Sequence, residues 1–165
     1  MNNGVYGLPN RVMTDLSSQL FKHEHLSKML YYTDKQYENE EILAQKKISW
    51  SKLKNKNVFI GKRIPIVLKS SGAFMSLRVF DFYPHNENGI YNVEVDIDVI
   101  VHQDCMQTIY GTRDITIVTM IYEALTDKTL TGIGKCSILN MYDIRDLDAE
   151  YSGYTVKVKT KGMLR

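Results

Sequence analysis

The pattern of apolar and polar positions divides the chain into a helical first part and a strand-rich second part. Near the start, apolar residues recur at spacings close to three and four, the period of an amphipathic helix. These residues are Val12, Leu16, Leu20, Leu26, Met29 and Leu30. The pattern predicts a helix over about residues 11–32, and the spacing slips at residues 21–25, which indicates a kink or two shorter helices.

Strict alternation is clearest over residues 90–102. One face of this segment carries Tyr91, Val93, Val95, Ile97, Val99 and Val101, and the other carries Asn92, Glu94, Asp96, Asp98 and His102. A period of two with one apolar face is typical of a half-buried antiparallel strand. Residues 74–83 alternate in part, and residues 84–89 form a strong turn signal. The two runs together predict a long β-hairpin.

The remaining segments predict one more helix and further strands. Residues 112–125 are rich in β-branched side chains, but Val118, Ile121 and Leu125 lie at helical offsets behind a capping Thr112, so a helix is favoured. Residues 64–68 resemble the start of a strand, and because Pro65 lacks an amide donor this is either an edge strand or a strand beginning. Strands are predicted at 136–142 and 154–161, on either side of an acidic bend at 143–150. A short helix is predicted at about residues 38–44.

The order of these elements predicts an α+β fold with a mainly antiparallel sheet, a long β-hairpin and helices packed on one face. The 165 residues fit a single domain over 1–165. Within it, residues 46–63 are interpreted as a basic loop excursion with one helical turn near 51–55. Ordered excursions of this length are usually binding or functional loops.

Charge is distributed unevenly, although the net charge is only +2. No Asp or Glu occurs over residues 42–80, whereas acidic residues gather before and after that stretch. The basic loop is a candidate lumen or inter-subunit contact through Lys46, Lys47, Lys52, Lys54, Lys56, Lys62 and Arg63. Glu94, Asp96 and Asp98 form a candidate inter-subunit acidic face. Such asymmetry would let identical subunits meet head to tail.

Glu94, Asp96 and Asp98 also have alternative interpretations. Three carboxylates along one strand could hold a magnesium ion, as in a metal-dependent nuclease. A solvated sheet face is the more ordinary interpretation, and pairing across strands with Arg78 or Lys69 would explain the carboxylates equally well.

Other candidate chemistry is disfavoured by spacing. His23 and His25 are two apart on a predicted helix and so cannot share one face. Gly132-Ile133-Gly134-Lys135 lacks the spacing of a phosphate loop and precedes a strand pattern. Cys105 and Cys136 have no nearby His or Cys in the sequence that could complete a zinc site. We therefore expect a protein that is not an enzyme, with no metal and no cofactor.

The sequence gives less direct information on the partners and the location of the protein. Lysines beside Trp50 and Phe59 could bind nucleic acid, since lysines neutralise phosphates and aromatic rings stack on bases. No apolar run approaches the roughly 20 residues of a membrane-spanning helix. Residues 1–7 do not have the pattern of a secretory signal. We expect synthesis and residence inside a cell, or in a particle assembled there, with no membrane partner.

Several segments together resemble the neck and tail-end ring proteins of tailed bacteriophages, in particular the tail-terminator and tail-completion group. They are an opening helix with Leu16, Leu20 and Phe21, then LSKMLYY at 26–32, VDIDVIVH at 95–102, RDI at 113–115, LTGIGK at 130–135 and YSGY at 151–154. The resemblance lies in the order and pattern of elements over most of the chain.

The resemblance implies a virion structural protein that acts by assembly. Its implied partners are further copies of itself in a closed ring, usually of six, together with other phage neck and tail proteins and genomic DNA passing through the lumen. The implied location is the virion neck or tail, after assembly in the host cytoplasm. A head-completion or adaptor protein of the same neck is the nearest alternative. The family has no catalytic residues to transfer.

Overall fold

The computed structural model describes residues 4–33, 39–61, 64, 71–84, 89–108, 111–130 and 134–163. The helices are α1 Gly4–Lys22, α2 Glu24–Tyr31, α3 Asn39–Ala44, α4 Trp50–Leu53 and α5 Arg113–Leu125. The strands are β1 Val58–Ile60, β2 Ala73–Pro84, β3 Ile90–His102, β4 Gln107–Thr108, β5 Gly111–Thr112, β6 Thr129–Leu130, β7 Gly134–Lys135, β8 Ser137–Asp143 and β9 Tyr151–Met163.

The main sheet has the strand order β1-β2-β3-β9-β8. β2 and β3 form the predicted long hairpin, and β9 and β8 continue the antiparallel pairing on the far side of β3. The short edge strand β1 pairs in parallel with β2. The predicted α+β fold with a mainly antiparallel sheet is confirmed.

The helices pack on the sheet face that carries the apolar alternation of β3. Val95, Ile97 and Val99 are fully buried there, in one core cluster with Leu16 of α1 and Ile121 of α5. Burying a large aliphatic side chain contributes about 1.5–3 kcal/mol each. This core therefore holds the helical layer on one face, and none of the described helices covers the opposite face of the sheet.

The helix predicted over residues 11–32 is divided in two, as the slip in spacing indicated. His23 has an extended backbone between α1 and α2, and its amide donates to the Leu20 carbonyl at 3.1 Å. The predicted start was wrong, because α1 begins at Gly4 and contains Pro9. The buried Leu8 extends the apolar stripe of Val12 and Leu16 beyond the proline.

The prediction of a mostly irregular excursion over residues 46–63 was also wrong in part. The helical turn is present as α4, but the segment also contains β1. Asn57 attaches it to the body, since its side-chain amide donates to the carbonyls of Leu30 at 2.9 Å and Ala73 at 3.1 Å. The strand predicted at residues 64–68 lies, apart from Ile64, outside the described residues.

A buried arginine connects the two parts of the helical layer. Arg113, the first residue of α5, donates to the carbonyl oxygens of Cys105 at 2.7 Å, Met29 at 3.0 Å and Tyr32 at 3.0 Å. Met29 and Tyr32 lie at the C-terminal end of α2, where carbonyls lack helical partners. Desolvation by burial lowers the pKa of Arg113. The helix predicted at residues 112–125 is confirmed as α5.

Candidate assembly surface

The sheet face opposite the helices carries a ladder of charged and polar side chains. Asp98 accepts hydrogen bonds from Thr155 Oγ1 at 2.7 Å, Ser76 Oγ at 3.2 Å and Arg78 Nε at 3.1 Å. The three donors come from the strands on either side of β3, as its register with β2 and β9 requires. Asp98 is 8% exposed, so this carboxylate is buried and satisfied within the chain.

Asp96 occupies the next rung and is only 1% exposed. Arg78 Nη2 lies 3.2 Å from one carboxylate oxygen, and Lys157 Nζ lies 3.2 Å from the other. The Lys157 contact is an ion pair without hydrogen-bond geometry. The same ammonium lies 3.1 Å from the centre of the Phe80 ring, where a cation is attracted by the π face. Two cations and one aromatic ring thus cover the carboxylate.

Glu94 forms the last rung, towards the hairpin turn. It accepts from the Tyr83 hydroxyl at 2.9 Å, and that hydroxyl accepts from Lys159 Nζ at 2.9 Å. The hydrogen bond to Tyr83 raises the pKa of Lys159. Glu94 is the least buried of the three carboxylates.

These contacts decide between the interpretations of the three carboxylates. The solvated-face interpretation is wrong for Asp96 and Asp98, because side chains of β2 and β9 cover them. Pairing with Arg78 is confirmed, whereas Lys69 lies outside the described residues. Among the residues that the structure describes, no group of three or more His, Cys, Asp or Glu could hold a metal ion. The inter-subunit role of Glu94, Asp96 and Asp98 remains a prediction, and a single chain already neutralises two of them.

The basic excursion presents its lysines to solvent. Its five described lysines, which we call the basic segment, are exposed: Lys46, Lys47, Lys52, Lys54 and Lys56. Lys62 and Arg63 lie outside the described residues. The two aromatic residues of the excursion pack within the chain, which argues against a role in stacking on bases. Trp50 packs on Phe21 of α1 with ring centres 3.8 Å apart, and Phe59 is buried in an apolar cluster with Ile64 and Phe74.

The opposite edge of the sheet is formed by β8, which exposes apolar side chains. Leu139 is 48% exposed, Met141 38% and Tyr142 40%. A bulge between Ile138 and Asn140 interrupts its pairing with β9. Sequence reasoning predicted this strand but missed its exposure. Its alternation is irregular, and only the strand order shows that it lies at an edge.

The last residue of β8 and the turn that follows it carry four exposed carboxylates. We call them the acidic bend: Asp143, Asp146, Asp148 and Glu150. Asp146 has a positive φ of 64°, a conformation that Asp tolerates better than most residues. Glu150 lies 3.5 Å from His102, and its backbone carbonyl accepts from the amide of Gln103. The bend is therefore attached to the end of β3.

The chain is similar to a known protein family over most of its length. The model of the YomW family matches residues 23–160, which include α2, the whole sheet except the last residues of β9, and the acidic bend. The chain belongs to the YomW family. This family is phage-related, so the resemblance to phage proteins is confirmed at that level. No curated protein matches this YomW chain.

One similar chain among solved structures comes from the virion of a native gene transfer agent particle. It shares 13% sequence identity with a TM-score of 0.45, and the match covers 66% of the YomW chain and 79% of that chain.

The other candidate residues of the YomW chain, which the sequence disfavoured as sites, have structural roles. His23 lies 3.2 Å from Glu123 of α5, and His102 caps a 3-10 turn by accepting from the amide of Asp104 at 3.1 Å. Gly134 and Lys135 form the short strand β7, and the strand predicted after the glycines follows as β8. Cys105 and Cys136 are buried thiols. Among the described residues, no helix has the length and apolar content needed to cross a membrane.

Proposed function

We propose that this YomW chain is a virion structural protein. In this proposal it is a tail-terminator or neck ring subunit, which joins a phage tail to a head and acts by assembly rather than by catalysis. Its partners are further copies of itself in a closed ring of about six, neighbouring neck and tail proteins, and genomic DNA in the lumen. A head-completion or adaptor protein of the same neck is the alternative.

The edge strand β8 is the observation that carries this proposal. It is seven residues long, contains neither Lys nor Pro, and exposes Leu139, Met141 and Tyr142. An exposed apolar edge is a template for association, which monomeric proteins usually prevent with charge, proline, a bulge or a covering segment. The bulge of β8 lies at Ile138–Asn140, before the exposed Met141 and Tyr142. A neighbouring copy in a ring would cover it, and membership in a phage-related family supports that setting.

The oligomeric state tests the proposal. Native mass spectrometry and negative-stain electron microscopy of the purified protein should show a closed ring of about six copies. A strict monomer at high concentration would overturn the ring proposal. Cryo-electron microscopy of particles assembled with this protein would then separate the two neck positions. A terminator contacts the last ring of the tail tube, whereas a head-completion protein contacts the portal side.

A matched pair of substitutions tests the role of β8. Leu139→Lys should disperse the ring into folded monomers, because it places a charge on the edge. Ile115→Lys is the control, since Ile115 is 40% exposed on α5 in the helical layer. It should leave the ring intact, and circular dichroism should show native folds for both. A ring that tolerates Leu139→Lys would exclude β8 from the interface.

A further inference from the structure

The two edges of the main sheet carry opposite charge. The basic segment leads directly into β1, which forms one edge, and the acidic bend leads directly out of β8, which forms the other. The basic segment has five exposed lysines and the bend has four exposed carboxylates. The basic segment carries lysines, and the bend is acidic on balance, because its four carboxylates outnumber the one exposed guanidinium of Arg145.

The two surfaces are too far apart to neutralise each other within one chain. Three strands separate β1 from β8, and four spacings of about 4.8 Å put these edges about 19 Å apart. The Debye length at physiological ionic strength is about 8 Å, so exposed charges at this separation are largely screened. Each surface can therefore take an oppositely charged partner outside the chain.

Both surfaces nevertheless lie at the same end of the sheet. β1 runs parallel to β2, so the basic segment lies near the end at which β2 begins. The acidic bend connects β8 to the start of β9, which pairs with the last residues of β3 at that same end. Cyclic symmetry rotates a subunit without changing its height along the ring axis. In a ring whose strands run along the axis, the basic edge of one copy can thus meet the acidic edge of the next at one level.

We propose that the basic segment of one copy docks on the acidic bend and the β8 edge of the next copy. This inference rests on the proposed ring and names its contact. The proposed contact differs from the one that the sequence suggested, in which the basic loop would meet Glu94, Asp96 and Asp98 of a neighbour. Arg78 and Lys157 already neutralise the deepest of those carboxylates within the chain. The apolar side chains of β8 are covered in the same contact.

Charge complementarity favours a second copy over DNA as the occupant of the basic segment. DNA would use the lysines but leave the acidic bend without a partner. It would also bring phosphates to the end of the sheet where four carboxylates are exposed. Contact between copies satisfies both surfaces at once. It also requires only Lys side chains, which act as point charges and need no base-reading geometry.

Charge reversal tests the contact directly. Lys52→Glu with Lys54→Glu reverses charge at the basic edge. Asp143→Lys with Asp148→Lys reverses charge at the acidic edge. Asp146 is left unchanged because its positive φ disfavours substitution. Each pair should raise the concentration needed for half-assembly by about tenfold or more, which corresponds to about 1.4 kcal/mol. All four substitutions together should restore assembly, because each edge again meets the opposite charge.

The control is Arg11→Glu with Lys128→Glu, which changes net charge as much as the lysine pair at exposed positions on α1 and the turn after α5. It should assemble as the wild type does, as measured by native mass spectrometry and sedimentation velocity.

If the wild type is a monomer, the proposed function itself fails. If the wild type forms a ring that either reversed pair leaves unchanged, or that the combined variant does not restore, this contact is wrong while the ring stands. A lysine pair that assembles normally but loses binding to duplex DNA would make DNA the occupant.

Discussion

The ammonium nitrogen of Lys157 lies 3.2 Å from a carboxylate oxygen of Asp96, which is buried in the middle of the sheet. Arg78 approaches the other oxygen from the neighbouring strand. The ladder therefore joins β2, β3 and β9 through side chains as well as through backbone hydrogen bonds. It lies on the face that the described helices leave uncovered, so these long side chains shield the backbone of the sheet from water there.

The first prediction concerns the loss of that buried charge. Asp96→Asn should reduce the free energy of unfolding by about 2–4 kcal/mol, because it removes the buried carboxylate that pairs with Lys157 and one of the two carboxylates that pair with Arg78. Urea denaturation followed by circular dichroism measures the change. Glu94→Gln is the control, since Glu94 is more exposed, and it should cost about 1 kcal/mol or less. Equal stability of Asp96→Asn and the wild type would contradict a structural role for the ladder.

The second prediction concerns the buried guanidinium of Arg113. Arg113→Lys should destabilise the fold by at least about 2 kcal/mol, because one ammonium cannot reach three separate carbonyls in the planar geometry of a guanidinium. Hydrogen exchange should show the largest loss of protection at the end of α2, whose carbonyls Arg113 caps. A uniform loss over the whole chain would show that the arginine does not act locally at α2.

The third prediction concerns a close approach between β9 and β3. A Cβ at Gly153 would overlap the carbonyl oxygen of Val99 and lie 3.2 Å from the Cα of Ile100. Gly153→Ala should therefore cost about 1–3 kcal/mol. Gly7→Ala is the matched control, because Gly7 lies in α1 with no atom within 4 Å of an added Cβ. It should be neutral or stabilising by up to about 1 kcal/mol.

The fourth prediction concerns pH. Burial raises the pKa of the Cys136 thiol from 9.0 to about 11, against the opposing effect of its hydrogen bond with Thr160. The folded chain holds this proton more tightly than the unfolded chain. The contribution to stability is therefore complete below about pH 9 and is lost as pH rises towards about pH 11.

Cys136→Ala removes that dependence. Between about pH 8 and about pH 11, the wild type should lose more unfolding free energy than the variant does, as measured by urea denaturation at each pH. Lys159 and Tyr151 also have raised pKa values, but both are present in each protein, so their effects cancel in the comparison. Parallel pH profiles would show that the thiol is not buried in solution.

The order of helices and strands could be predicted from local pattern. The break at His23 followed from a slip in apolar spacing, and α5 followed from helical offsets despite its β-branched residues. The parallel strand β1 could not be predicted in this way. It is three residues long, and its pairing with β2 depends on Asn57, whose partners Leu30 and Ala73 are distant in sequence.

The site was harder to predict than the fold. The alternation of β3 identified Glu94, Asp96 and Asp98 as one face, but burial of that face depends on Arg78 and Lys157 lying flat across it, which only the register of three strands establishes. The edge position of β8 depends likewise on strand order. The charges of the basic segment and the acidic bend were visible in the sequence, whereas their positions on opposite edges were not.

The order in which the sheet is completed has a consequence for synthesis. β8 has its backbone partner in β9, and β9 pairs with β3 about sixty residues before it in the chain. A chain leaving the ribosome would therefore complete its sheet only after β9 has been made, and pairing over such a separation is slow. A translation product cut short before β9 would lack an ordered β8 edge. Newly made chains would thus gain the ability to join a ring in the same step that completes their fold.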